Sequence, residues 1–88
     1  MRIWFKECKK GRVLRDCIIE AFDDDTRTHK IFNSLNKAAN EFDLAVPIWL
    51  DSNIRDFKRN SKTRFTKDSF VEDIDFDYLE MAVIEEDY

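Results

Sequence analysis

The chain has 88 residues, a formal net charge of −4 and 39% charged residues. Its charges nearly cancel and 14% of its residues are aromatic, which excludes a disordered chain of low hydrophobicity and high net charge. The length predicts one domain over residues 1–88 with a small core. The N-terminus lacks the apolar region of a signal peptide and no apolar run could span a bilayer, so we expect a cytoplasmic protein without membrane contact.

The first two predicted elements are strands joined by a tight loop. Residues 1–7 and 12–22 carry aromatic and β-branched residues with partial alternation, which is typical of strands. Gly11 lies between them and adopts positive φ freely, as a short hairpin loop requires. The pattern therefore predicts a hairpin whose loop is centred on Lys10 and Gly11.

This hairpin also predicts the state of the two cysteines. Its register would place Cys8 opposite Val13 and Cys17 opposite Trp4. The thiols are then not cross-strand neighbours, so we expect no disulfide between them.

A helix is predicted next, with Asp25 or Thr26 able to cap its start. Apolar residues recur there at spacings of one, three and four, which is typical of an amphipathic helix. They are Ile31, Phe32, Leu35, Ala38, Ala39 and Phe42. Pro47 disfavours helix at the residue before it, so the helix should end earlier and pack its apolar stripe on one face of the sheet.

The next segment has two interpretations. Residues 46–50 resemble core, and residues 47–50 suit either a short buried strand or the first turn of a helix with proline at its opening position. Ser52 is predicted to cap a helix of about residues 53–60 that buries Ile54 and Phe57. Residues 62–70 would then be a frayed continuation of this helix or an irregular loop.

The acidic tail, residues 71–88, contains eight Asp and Glu and no Lys or Arg. Within it, Leu79, Met81 and Val83 alternate with a more polar set, which predicts a half-buried strand paired with the first or second strand. The predicted fold is α+β: a small, mostly antiparallel three-stranded sheet in the order β-β-α-α-β, with the helices packed on one face.

A cluster of cations lies between the predicted second helix and the acidic tail. We call it the basic stripe, and it consists of Arg55, Lys58, Arg59, Lys62, Arg64 and Lys67. Clustered cations bind nucleic-acid phosphates, and Phe65 or Trp49 nearby could stack on a base. The same charges can instead face solvent or pair with the acidic tail, and the net negative charge repels nucleic acid. The basic stripe and Trp49 are the candidate binding residues.

Features of enzymes and metal sites are weak in this sequence. His29 has no fixed partner, and together with the two cysteines it lacks the close paired spacing of a zinc site. We interpret residues 51–53 as a helix start rather than a ligand site. No P-loop, nucleophile elbow or dinucleotide motif is present. We therefore predict no catalytic residues, no metal and no cofactor.

Two short stretches carry a resemblance to known proteins. They read IWLDSNIR at residues 48–55 and FDYLE at residues 76–80. Over nearly its whole length the chain resembles small bacterial proteins of unknown function. The resemblance implies a stand-alone bacterial domain and supplies no site residues.

The segregated charges, the many aromatic residues and an exposed sheet edge favour association. We expect a non-enzymatic interaction module that forms a homo-oligomer or binds a protein partner. The alternative function is nucleic-acid binding through the basic stripe.

Overall fold

A computed structural model describes residues 1–87. The chain begins with an antiparallel hairpin of β1 (Arg2–Lys9) and β2 (Arg12–Glu20). The two loop residues, Lys10 and Gly11, have φ of 51° and 75°. Positive φ at both positions is what a tight hairpin turn needs to match the twist of its strands. The predicted hairpin and its loop are confirmed.

The pairing within the hairpin agrees with the prediction beside the loop and is shifted by one residue from Arg2 to Glu7. Cys8 lies opposite Val13 as expected, but Cys17 lies opposite Phe5 rather than Trp4. The register shifts by one residue between Glu7 and Cys8, so the pairs on the two sides of this irregularity are offset from each other. Both thiols are free, and burial raises the pKa of the Cys17 thiol to about 11.

Helix α1 (Arg27–Glu41) follows the hairpin. The Thr26 hydroxyl caps it by accepting a hydrogen bond from the His29 backbone N–H at 3.2 Å. The predicted apolar stripe is buried except for Phe32, which is exposed. Lys30 is buried as well, although it is charged.

Helix α2 (Asp51–Asn60) begins about two residues earlier than predicted, and Leu50 rather than Ser52 precedes it. The reason is Asn53, whose side-chain oxygen accepts a hydrogen bond from the Leu50 N–H at 3.0 Å and so caps the helix from inside its first turn. Residues 47–50 form neither a strand nor a helix.

The prediction of core residues between positions 46 and 57 is partly wrong. Val46, Ile48 and Ile54 are exposed, whereas Phe57 is buried as expected. Residues 46–48 have no regular structure, and Ile54 lies beside the buried face of α2 rather than at its centre. The apolar character of these residues was therefore not sufficient to predict whether their side chains are buried.

The sheet has four strands rather than the three predicted, because β3 (Lys62–Phe65) and a 3-10 turn (Lys67–Ser69) occupy the stretch expected to be frayed helix or loop. Ser61 ends α2 with a left-handed φ of 53° and turns the chain back. Alternate residues of β3 are then buried, but four residues are too few for a period of two to be recognised in a sequence.

Strand β4 (Tyr78–Glu85) lies between β1 and β3, so the strand order is β2-β1-β4-β3 and every pairing is antiparallel. The final strand was predicted to pair with the first or the second strand, and it pairs with the first, β1, and also with β3. One core joins this sheet to both helices, and it includes Ile3, Phe5, Phe65, Leu79 and Met81 of the strands with Ile31, Leu35, Ala38 and Phe57 of the helices. None of the helices within residues 1–87 combines the length and apolarity needed to cross a bilayer.

Candidate functional site

One side chain from α2 lies against the β3 edge of the sheet. Asn53 is 3% exposed, and its amide nitrogen donates to the Arg64 backbone carbonyl and to the Thr63 hydroxyl, both at 2.9 Å. Its oxygen accepts from the Leu50 N–H. Asn53 therefore satisfies a backbone acceptor that would otherwise be free at this edge.

The β2 edge has no such cover. Ala21 and Met1 exchange two backbone hydrogen bonds, of 2.9 and 3.2 Å, so the alternation of an antiparallel ladder turns the N–H and C=O groups of Asp16, Ile18 and Glu20 away from β1. Within residues 1–87, β2 has no strand on that side. Three apolar residues of β2 are also exposed: Val13, Leu14 and Ile18.

The outer face of the sheet carries a row of charges at its centre. Glu80 of β4 is 5% exposed and lies between Lys6 of β1 and Arg64 of β3, at 2.7 and 3.2 Å. Burial raises the pKa of Glu80, but the hydrogen bonds and charges of both cations outweigh it and hold the pKa below 4.5. These three side chains connect three strands.

The same cations cover two aromatic rings on this face. The Lys6 ammonium lies 4.2 Å from the centre of the Trp4 ring, and the Arg64 guanidinium lies 4.4 Å from that of Tyr78. The Trp4 indole also donates to Asp16 at 2.8 Å. One face of each ring is therefore covered by a cation.

The acidic tail pairs mostly with cations outside the basic stripe. Its ion pairs join Glu80 to Lys6 and Arg64, Glu85 to Arg2, Glu86 to Arg27, and Asp87 to Lys30 and the N-terminal amine. Among these partners, Arg64 alone belongs to the basic stripe. The remaining members, Arg55, Lys58, Arg59, Lys62 and Lys67, are exposed and form no ion pair within residues 1–87.

The predicted binding residues occupy separate surfaces. Arg55 and Arg59 lie on the solvent side of α2, while Lys62 and Arg64 lie on the outer face of β3 and Lys67 lies in the 3-10 turn. Trp49 and Lys58 do come together, since both line a groove between α1 and α2. The basic stripe is thus not one continuous ligand site.

This groove has a volume of about 310 Å³. Trp49 lies between the helices, with its ring centroid 5.8 Å from that of Phe32 on α1 and 5.6 Å from that of Phe57 on α2, in edge-to-face contacts. Its indole nitrogen is buried without a hydrogen-bond acceptor in residues 1–87. The other lining residues are Arg27, Thr28, Ile31, Ile54 and Lys58.

The side chains considered for catalysis or metal binding do not lie together in one site. His29 is exposed, and its Nδ1 lies 2.9 Å from Asp25, the hydrogen bond that most lowers the pKa of that aspartate. Across residues 1–87 no three His, Cys, Asp or Glu side chains are grouped so as to hold a metal ion.

Sequence patterns missed two groups of residues. The inward role of Asn53 depends on β3, which was not predicted, and the pairing of Lys30 with Asp87 at 2.7 Å joins residues 57 positions apart. The open edge of β2 could have been suspected from the sequence, because the apolar residues of β2 fall on both faces of the strand. Only the strand order shows that β2 lies at an edge of the sheet.

The chain matches no protein-family model, no curated protein and no solved structure. The comparisons therefore add no support to the resemblance seen in the sequence.

Proposed function

We propose that this protein is a non-enzymatic interaction module that associates with a second copy of itself through the open edge of β2. The observation that carries the proposal is the contrast between a nine-residue strand whose outward backbone groups are free and a four-residue opposite edge at which Asn53 binds one backbone carbonyl. A long uncovered edge strand is a template for another strand.

The charges of β2 favour an antiparallel partner of the same sequence. Arg12 and Arg15 lie in the first half of the strand, and Asp16 and Glu20 lie in the second half. Antiparallel pairing places the basic half of one copy beside the acidic half of the other, and a two-fold axis makes both contacts equivalent. The result is one continuous eight-stranded sheet, twice the four strands of one copy.

The apolar residues of the edge contribute burial to the same contact. Val13, Leu14 and Ile18 are each about half exposed in the single chain. Each would lose further exposure beside a second strand, at a gain of about 25 cal/mol per Å² of apolar surface.

The test is light scattering on the intact chain and on two variants, at low and high salt. Ile18→Lys on the edge strand should convert a dimer to the 10.6 kDa monomer. Ile84→Lys is the matched control, because Ile84 is 48% exposed and Ile18 is 50% exposed, but Ile84 lies on the interior strand β4. A strictly monomeric intact chain at high concentration in both salts would refute the proposal.

Hydrogen exchange gives a second measurement on the same edge. As concentration rises, the amides of Asp16 and Ile18 should become protected, because they point away from β1 and would bond to the second copy. The amide of Cys17 already faces β1 and should change less. Equal protection changes at all three amides would argue against edge pairing.

A second candidate function is nucleic-acid binding by the solvent side of α2. It is supported by the unpaired cations, since the acidic tail pairs with Arg64 but with no other member of the basic stripe in residues 1–87. Free cations on one helix face attract phosphates in a salt-dependent manner.

Binding to single- and double-stranded DNA and RNA at low salt tests this candidate. Charge reversal at Arg55 and Arg59 should abolish any binding found, whereas Lys37→Glu on the exposed side of α1 changes the charge away from α2 and should have a smaller effect. Absence of nucleic-acid binding at low salt would refute this second candidate function.

A further inference from the structure

The groove between α1 and α2 differs from the other concave surfaces of the molecule. Its walls include the rings of Phe32, Trp49 and Phe57. Two other cavities, of about 550 and 360 Å³, are lined mainly by polar or acidic residues. A volume of about 310 Å³ lies at the lower end of the range for small-molecule sites, which begins near 300 Å³.

Two cations line this apolar groove, and they differ in their partners. The Arg27 guanidinium is held by both carboxylate oxygens of Glu86, at 3.0 and 2.8 Å, and also lies 5.5 Å from the Phe57 ring. Lys58 is exposed and has no carboxylate within 4.0 Å in residues 1–87. The groove therefore offers one uncompensated positive charge beside an apolar wall.

The aromatic wall of the groove can receive a flat ring. Trp49 meets Phe32 and Phe57 at interplanar angles of 87° and 90°, so the aromatic side chains already pack edge to face. A further planar ring can extend this packing, and edge-to-face pairs contribute about 0.5–1.5 kcal/mol beyond the area they bury.

We infer that this groove binds a small aromatic monocarboxylate, with its ring against Phe32, Trp49 and Ile54 and its carboxylate near the Lys58 ammonium. The inference is independent of self-association, because none of the groove residues belongs to β2.

The test uses naphthoate as the probe and a proton–nitrogen NMR spectrum of the intact chain as the readout. The chain has two tryptophans, so the indole N–H of Trp49 reports on the groove and that of Trp4 serves as an internal control on the outer face. Naphthoate should shift the Trp49 signal in a saturable manner and leave the Trp4 signal in place. No shift of Trp49 at millimolar naphthoate would overturn the inference.

The charge requirement is tested with a ligand and a variant. Naphthylmethanol has the same ring system without the charge and should bind at least about fivefold more weakly. Lys58→Glu should weaken naphthoate binding by roughly fivefold or more, whereas Arg59→Glu makes the same charge change one residue away, outside the groove, and should change it less than about twofold. Equal effects of the two variants, or equal binding of the two ligands, would overturn the assignment of an anionic ligand.

A second variant tests the apolar wall. Ile54→Asp places a carboxylate in the groove at an exposed position and should abolish naphthoate binding, while Val71→Asp at a more exposed position outside the groove should leave it unchanged. Unchanged binding in Ile54→Asp, with its fold intact by NMR, would overturn the placement of the ligand.

Discussion

The two edge strands of the sheet differ in what covers their free backbone groups. Strand β3 has four residues, and one amide side chain from the first turn of α2 binds the outward carbonyl of Arg64. Strand β2 has nine residues, and the chain leaves it through an exposed acidic run into α1, which packs on the core side of the sheet. Edge protection in this sheet therefore depends on where the adjacent helix lies.

Removing Asn53 is the most direct way to erase the difference between the edges. Asn53→Ala leaves the Arg64 carbonyl and the Leu50 N–H without their partner and opens a buried space, so we expect a loss of about 3 kcal/mol in the free energy of unfolding. Urea denaturation measures it. Ser52→Ala, an exposed change in the same turn, is the control and should cost less than about 0.5 kcal/mol. Similar losses in both variants would contradict the role of Asn53.

Glu80 links β3 to the centre of the sheet through its ion pairs with Lys6 and Arg64. Glu80→Gln removes a buried charge held by Lys6 and Arg64, and because both cations can reach solvent we expect a loss of about 2 kcal/mol at neutral pH, between the values for surface and fully buried pairs.

The pH dependence of that loss follows from the sign of the pKa shift. The pKa of Glu80 is lower in the folded chain than its ordinary value of 4.5, so its contribution is complete above pH 4.5 and is lost as the pH falls through the folded pKa. Glu80→Gln should therefore destabilise the chain at pH 7 and have a smaller effect in acid. An equal destabilisation at both pH values would show that the charge of Glu80 is not responsible.

The smallest effect is expected on the open edge. Glu20→Lys makes both ends of β2 basic and should weaken self-association roughly fivefold, or about 1 kcal/mol. Adding Arg12→Glu reverses the charges at the two ends of the strand, at positions 12 and 20, and should restore association. Monomer stability should change by less than about 0.5 kcal/mol in either variant, because both residues are exposed. Failure of the double variant to recover association would contradict antiparallel pairing.

Local patterns were sufficient for the hairpin, for α1 and for the final strand. Gly11 marks the turn, and the apolar spacing of α1 is long enough to be distinctive. They were insufficient for β3, whose four residues lie within a run of cations, and for Ile54, whose position on α2 depends on where the sheet lies. The basic stripe was visible in the sequence, but its division among α2, β3 and the 3-10 turn was not.

The α+β class, the tight hairpin and the concentration of acidic residues at one end could be predicted, because each depends on residues close together in the chain. The central position of β4, the contact of Asn53 with the β3 edge and the pairing of the acidic tail mainly with cations outside the basic stripe depend on how the chain folds. These outcomes join residues far apart in sequence, and nothing in local periodicity specifies which distant partners meet.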